Sequence, residues 1–110
     1  MTDQVIDETA LSELRSIMGD DFQLLIDTFI NDSEQRIVAL QEAVSNADAE
    51  SLRTSAHSFK GSSLNISAAK LTELCKGLED RGREARLAGA DEVLAEVKIA
   101  YDEVKAYFSA

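Results

Sequence analysis

A chain of 110 residues, 45% of them hydrophobic, can build one compact core but not two. Its formal charge of −10 argues against nucleic acid as a general partner, which would need a broad basic surface. No apolar run approaches the roughly 18 residues of a membrane span, and the acidic Met1-Thr2-Asp3-Gln4 start lacks the basic and apolar regions of a signal peptide. The one cysteine, Cys75, has no internal disulfide partner, so a reducing, cytoplasmic setting is expected.

The chain contains no proline and only five glycines, so long stretches run without a breaker and read as helix. The first helix is expected over about residues 7–18, where Ala10, Leu14, Ile17 and Met18 keep helical spacing and Gly19 gives a stop. The second is expected over about 20–47. Its stripe runs through Phe22, Leu25, Ile26, Phe29, Ile30, Ile37, Leu40, Val44 and Ala47, with Ser33 filling one stripe position. Asp48 caps a third helix over about 49–64. After a break at Asn65-Ile66, Ser67 is expected to cap a fourth over about 67–87, with a stripe of Leu71, Leu74, Cys75, Leu78 and Ala85. Gly89 and Asp91 separate it from a fifth over about 92–108, lined by Val93, Val97, Ala100, Val104 and Phe108. Each stripe is one-sided and the connections are short. The expected fold is therefore all-α: one domain over 1–110, an antiparallel up-down four-helix bundle with a short additional N-terminal helix.

The charge is unevenly spread. Residues 1–52 hold 12 acids and 2 bases, whereas residues 53–86 hold 4 acids and 7 bases. The third helix lies in this basic segment and carries the single histidine. At about 100° per residue, Leu52, Ala56, Phe59 and Ser63 form its core stripe, and His57 falls about 160° from Phe59. Arg53, Lys60, Gly61 and Leu64 are its neighbours at helical spacings. An exposed imidazole, ordinarily neutral near pH 7, is a nucleophile able to attack a phosphoryl group in line. Lys60 would offset the negative charge so acquired. Gly61 would let a partner's backbone approach, since glycine inside a helix costs about 1 kcal/mol relative to alanine and needs some other reason to be there. One histidine and one distant cysteine do not make a metal site, and no strand–turn elbow exists for a serine triad.

The segment His57-Ser58-Phe59-Lys60-Gly61-Ser62-Ser63 resembles the H-x-x-K-G-S-S motif of histidine-phosphotransfer (HPt) domains. The likeness extends over nearly the whole chain, through Leu11 to Gly19, Phe29, Ala43, Asp48 and Ala56 upstream, and Leu71, Leu74, Cys75, Leu78, Glu79 and Arg83 downstream. One departure is Ser67-Ala68, where the family usually has Gly-Ala. The resemblance implies that His57 is the phosphoacceptor through Nε2, that Lys60 contacts the phosphoryl oxygens, and that Glu79 binds the other ring nitrogen and orients the histidine. It implies for Arg83 a phosphate contact. Lys76, Glu79, Arg83 and Arg86 also form a stripe of their own, which could turn toward His57 or simply pair internally.

The implied cycle is a phosphorelay without an ATP site or cofactor of its own: a monomeric carrier that takes the phosphoryl group from a receiver domain of a hybrid sensor kinase and gives it to that of a response regulator. Mg²⁺ would come with the receiver. Leu64 and Arg53 are candidate docking contacts, Leu64 equally readable as buried under the helix end. Two alternatives stand beside the relay: the phosphoacceptor domain of a chemotaxis-type kinase, which would require a fragment, and a helical adaptor that is never phosphorylated.

Overall fold

In the computed structural model, which describes residues 2–110, the chain forms five helices. They are α1 (Glu8–Met18), α2 (Asp21–Ser45), α3 (Ala49–Asn65), α4 (Ala69–Arg83) and α5 (Ala90–Ser109). Helices α2 to α5 form a ring in which α3 packs on α2 and α4, and α5 on α4 and α2, while α1 rests on α2. Neighbours run antiparallel, as their contacts show. Along α3 and α4, Arg53 meets Gly82, His57 meets Glu79, and Lys60 again meets Glu79. Between α2 and α5, Ile30 pairs with Tyr101 and Gln41 with Lys98. The expected four-helix bundle with a leading helix is therefore the observed fold.

The core follows from the one-sided stripes. Ile26, Phe29, Leu40, Leu52, Phe59, Leu71, Leu78, Leu94, Val97 and Val104 are all buried. Phe29 sits at the centre, its ring 6.2 Å from Phe59 and 6.3 Å from Tyr101. Ser33 is fully buried at its stripe position. Cys75 is buried too, and desolvation pushes its thiol up to about 12, so it is an inert core residue. Leu11, Leu94 and Tyr101 belong to the core but were not in the expected stripes, whereas Ile17, which was, is 84% exposed.

Helix ends are where the structure departs from the sequence expectations, and one motif explains it. Helices α2, α3 and α4 each stop with a residue in left-handed conformation: Ala47 (φ 53°), Ser67 (φ 63°) and Ala85 (φ 51°). In each case the next amide reaches back to the helix, Asp48 N to Ala43 O, Ala68 N to Ser63 O and Arg86 N to Arg81 O. These are Schellman closures, usually marked by glycine. Alanine or serine there hides the stop, so α2 and α4 were expected to run on to Ala47 and 87. Both Ala47 and Ala85 are exposed, not stripe residues. After α4, Arg81 Nη1 donates to Ala88 O and Gly89 takes φ 81°, which lets α5 begin at Ala90, before the expected 92.

Ser67 likewise does not cap α4. The helix begins at Ala69 with Ala68 as N-cap and no side-chain cap bond. Ser67 instead turns the chain, and its carbonyl accepts from Asp7 N at 2.8 Å, tying the N-terminal strap to this corner. Its left-handed backbone is what glycine would supply without a Cβ penalty. Ser67→Gly is therefore expected to stabilise the protein by about 0.5–1 kcal/mol, raising Tm by roughly 2–6 °C in a thermal melt. Asp48 caps α3 as expected, its Oδ1 accepting from Ser51 N at 3.1 Å.

Candidate functional site

The site sits on the outer ridge of α3, where it meets α4. Phe59, Ala56, Leu52 and Ser63 turn into the core and so hold His57 outward, with 65% of its side chain exposed. On α4, Leu71, Leu74, Cys75 and Leu78 anchor the inner face, which brings Glu79 to the seam with α3. Glu79 is only 3% exposed and is the one charged residue buried among the described residues.

Three basic side chains stand against Glu79. His57 Nδ1 stands 2.8 Å from its Oε2, Lys60 Nζ lies 2.6 Å from Oε1, and Arg83 Nη2 donates to Oε2 at 3.0 Å. Burial pushes the Glu79 carboxyl up, but the hydrogen bonds and charge that Lys60 brings, with the hydrogen bond from His57, outweigh it and hold the group below the ordinary carboxylate range. An ionised carboxylate can only accept, so the hydrogen at this contact belongs to His57 Nδ1. The Nδ1–H tautomer leaves a lone pair on Nε2, the nitrogen facing away from Glu79.

Arg83 is shared, its Nη1 donating to Asp80 Oδ1 at 2.8 Å, and Lys76 Nζ lies 3.2 Å from Asp80 Oδ2. The two readings of the α4 stripe therefore both hold in part: Glu79 faces His57 and also pairs with Arg83, while Lys76 and Arg86 pair elsewhere, Arg86 with Glu84. Lys60 is not free beside the ring but seated on Glu79. Arg53 pairs with Glu50 one turn before His57. Leu64, one turn beyond Gly61, is 65% exposed rather than tucked under the helix end. A methyl group built on Gly61 would meet nothing within 4 Å among the described residues.

Two residues that matter here escaped the sequence reading. Gly82 lies against α3 so closely that a Cβ would stand 2.6 Å from Arg53 N and 2.8 Å from Ala49 O. Its position three residues after Glu79, inside a helix where glycine is unfavourable, was the available signal, though Gly77 on the same helix gives the same signal without a close approach. Arg36 of α2 donates to Ser58 Oγ and makes up the opposite flank of the α3 ridge. Across the interhelix gap it could not be paired with Ser58 from spacing alone. Among the described residues no three His, Cys, Asp or Glu side chains gather as a metal would require. No helix among them is long and apolar enough to cross a membrane.

The family model described as the Hpt domain matches residues 24–107. The chain belongs to the Hpt family. The crystal structure of histidine-containing phosphotransfer protein B (HptB) from Pseudomonas aeruginosa PAO1 superposes with a TM-score of 0.94 at 35% identity, covering 98% of this chain and 94% of that one. A comparison with curated proteins found no match. As an Hpt protein the chain serves histidine phosphotransfer in phosphorelays, as a phosphocarrier. Hpt domains work in such relays with receiver domains.

Proposed function

We propose that His57 is the phosphoacceptor and that the protein shuttles its phosphoryl group between receiver-domain aspartates, one on a hybrid sensor kinase and one on a response regulator, in the cytoplasm and as a monomer. The observation that carries this is the Nδ1 contact of His57 with buried Glu79, which directs Nε2 to solvent. Nε2 attacks the phosphorus of an aspartyl phosphate in line, the N–P bond forms, and the aspartate carboxylate leaves with the O–P electron pair. The chain supplies position and charge and no ATP site. Lys60 Nζ, half-buried on Glu79, needs only a side-chain rotation to reach an oxygen of the incoming group. Arg83, 57% exposed on its outer side, is a second, more distant cation for it.

In this reading the receiver would hold Mg²⁺, whose chemistry there would be to neutralise charge on the phosphoryl oxygens. The carboxylates nearest His57 suit that division, since Glu79 and Asp80 are each already engaged by basic side chains. Leu64 and Arg53 flank His57 along the same ridge and provide an apolar and a basic docking contact. The net positive segment around them steers the acidic receiver pocket.

Gly61 is the contact point for the partner's backbone. Gly61→Ala is expected to stabilise the folded chain by about 0.5–1 kcal/mol, because the methyl has room and alanine is the better helix former. The same variant should transfer more slowly, on the order of tenfold, as about 1.4 kcal/mol of lost docking would give. A rise in Tm with unchanged transfer would remove Gly61 from the interface. The function itself is tested by mixing the protein with a phosphorylated receiver domain and Mg²⁺. Acid-labile, base-stable label on this chain supports the relay, and no label from any of several receivers, with folding verified, overturns it.

A further inference from the structure

We propose that Glu79 keeps a proton on His57 Nδ1 through the entire transfer cycle, so that the phosphorylated ring stays cationic and primed to release its phosphoryl group. The proposal rests on His57 as phosphoacceptor and concerns the state of the ring once Nε2 is modified.

Neutral imidazole with its hydrogen on Nδ1 attacks through Nε2. When the N–P bond forms and the donor carboxylate departs, no proton has moved, and the ring is a phosphoimidazolium carrying one positive charge. In water such a ring gives up the Nδ1 proton and becomes neutral, and its N–P bond is then harder to break because the departing nitrogen would leave as an anion. Here Nδ1 faces a carboxylate at 2.8 Å that is almost wholly shielded from solvent. Loss of the proton would leave Glu79 buried without one of its three partners, which is costly for an ionised group. In the return step the N–P bond breaks, its electron pair returns to Nε2, and neutral imidazole with Nδ1–H is regenerated. The relay thus runs in both directions without proton exchange. The device resembles the aspartate of a hydrolase triad, which stabilises an imidazolium without taking its proton.

The surrounding charges fit. From α3, Lys60 holds the other oxygen of Glu79 and Arg53 lies one turn before His57. From α4, Arg83 shares Glu79 with the ring, and Asp80 balances Arg83 and Lys76. From α2, Arg36 is occupied with Ser58. Helix α5 packs on α4, and its Glu103 pairs with Lys70, well along the helix from Glu79. A dianionic phosphoryl group would draw Lys60 from Glu79, leaving the carboxylate more dependent on the ring proton. Glu79 is a positioning residue in this scheme: it touches His57, not the phosphoryl group.

The chain has one histidine, so ¹⁵N labelling of histidine reports a single ring. The full chain is phosphorylated with phosphoramidate, the donor is removed, and Nδ1 protonation is followed by NMR between about pH 6 and about pH 9, spanning the ordinary imidazole range. Wild type is expected to hold the proton to at least about pH 8, and Glu79→Gln to lose it a unit or more earlier, a tenfold change in the equilibrium. Glutamine retains an acceptor for Nδ1–H and so preserves orientation, which makes the pH profile a measure of charge alone. Transfer to a receiver near pH 8 should slow by a similar factor of about ten in the variant. A wild-type ring that has lost the Nδ1 proton by about pH 7 overturns the proposal even if the variant does not fold, and so do matching profiles for the two proteins. If neither protein takes label on His57, the phosphoacceptor reading falls and this one with it. Label with an unchanged profile removes only the role given to Glu79.

Discussion

His57→Gln is expected to take up no phosphoryl group from any phosphorylated receiver, while folding as the wild type does. The loss is total because the chain has a single histidine, and a glutamine amide offers no nucleophilic lone pair on nitrogen. The fold survives because the ring is 65% exposed and contributes little to the core. Glutamine can donate from its amide toward Glu79, which also keeps Lys60 and Arg83 as partners. Surface changes of this kind shift stability by about 0.5 kcal/mol or less, or roughly 2–4 °C in Tm. The measurement pairs a phosphate-affinity gel with a thermal melt. Label persisting on the variant would place the acceptor elsewhere on the chain. A collapse in Tm would mean that the ring has a structural duty its exposure does not reveal.

Much of this fold and site is legible in the sequence. Helical stripes of three-and-four spacing, with no proline to interrupt them, specify amphipathic helices that must bury one face each, and short connections make neighbours antiparallel. The placement of His57 opposite Phe59 followed from helix geometry alone, since a core phenylalanine two residues away forces the histidine outward. What escaped were features set by backbone conformation and by contacts between helices. Ala47 and Ala85 adopt left-handed conformations that alanine does not advertise, so the ends of α2 and α4 were read too far along. Ser67 looked like a capping serine, and the turn instead uses its backbone. Ile17 and Leu11 are both compatible with a helix, but which of them faces α2 depends on how α1 is rotated about its axis, and the structure buries Leu11. Glu79 was placed beside His57 through family resemblance. That it would also hold Lys60 depends on how α3 and α4 are registered, and Gly82 fixes that register.

Gly82→Ala is expected to destabilise the protein, against the usual preference for alanine in a helix. The added Cβ would fall 2.6 Å from Arg53 N, 2.8 Å from Ala49 O and 2.8 Å from Arg53 Cα, all backbone atoms of α3 that cannot rotate away. The helices must separate. Overpacking costs roughly 1–3 kcal/mol, and against rigid backbone it falls at about 3, which exceeds the gain of about 1 kcal/mol from replacing glycine inside a helix. A net loss near 2 kcal/mol corresponds to a fall in Tm of roughly 8–15 °C. Gly77→Ala is the control on the same helix: its Cβ would meet only Val93 Cγ1 at 4.0 Å, an ordinary contact, so there the propensity gain prevails and Tm should rise. The opposite signs at two glycines five residues apart isolate packing from propensity. Because Glu79 lies one turn from Gly82, forcing α4 off α3 also lengthens the Glu79 contacts to His57 and Lys60. The Gly82 variant should therefore lose phosphotransfer at temperatures where it is still folded. If it melts with the wild type and transfers normally, α3 and α4 are not in the close contact that positions the site.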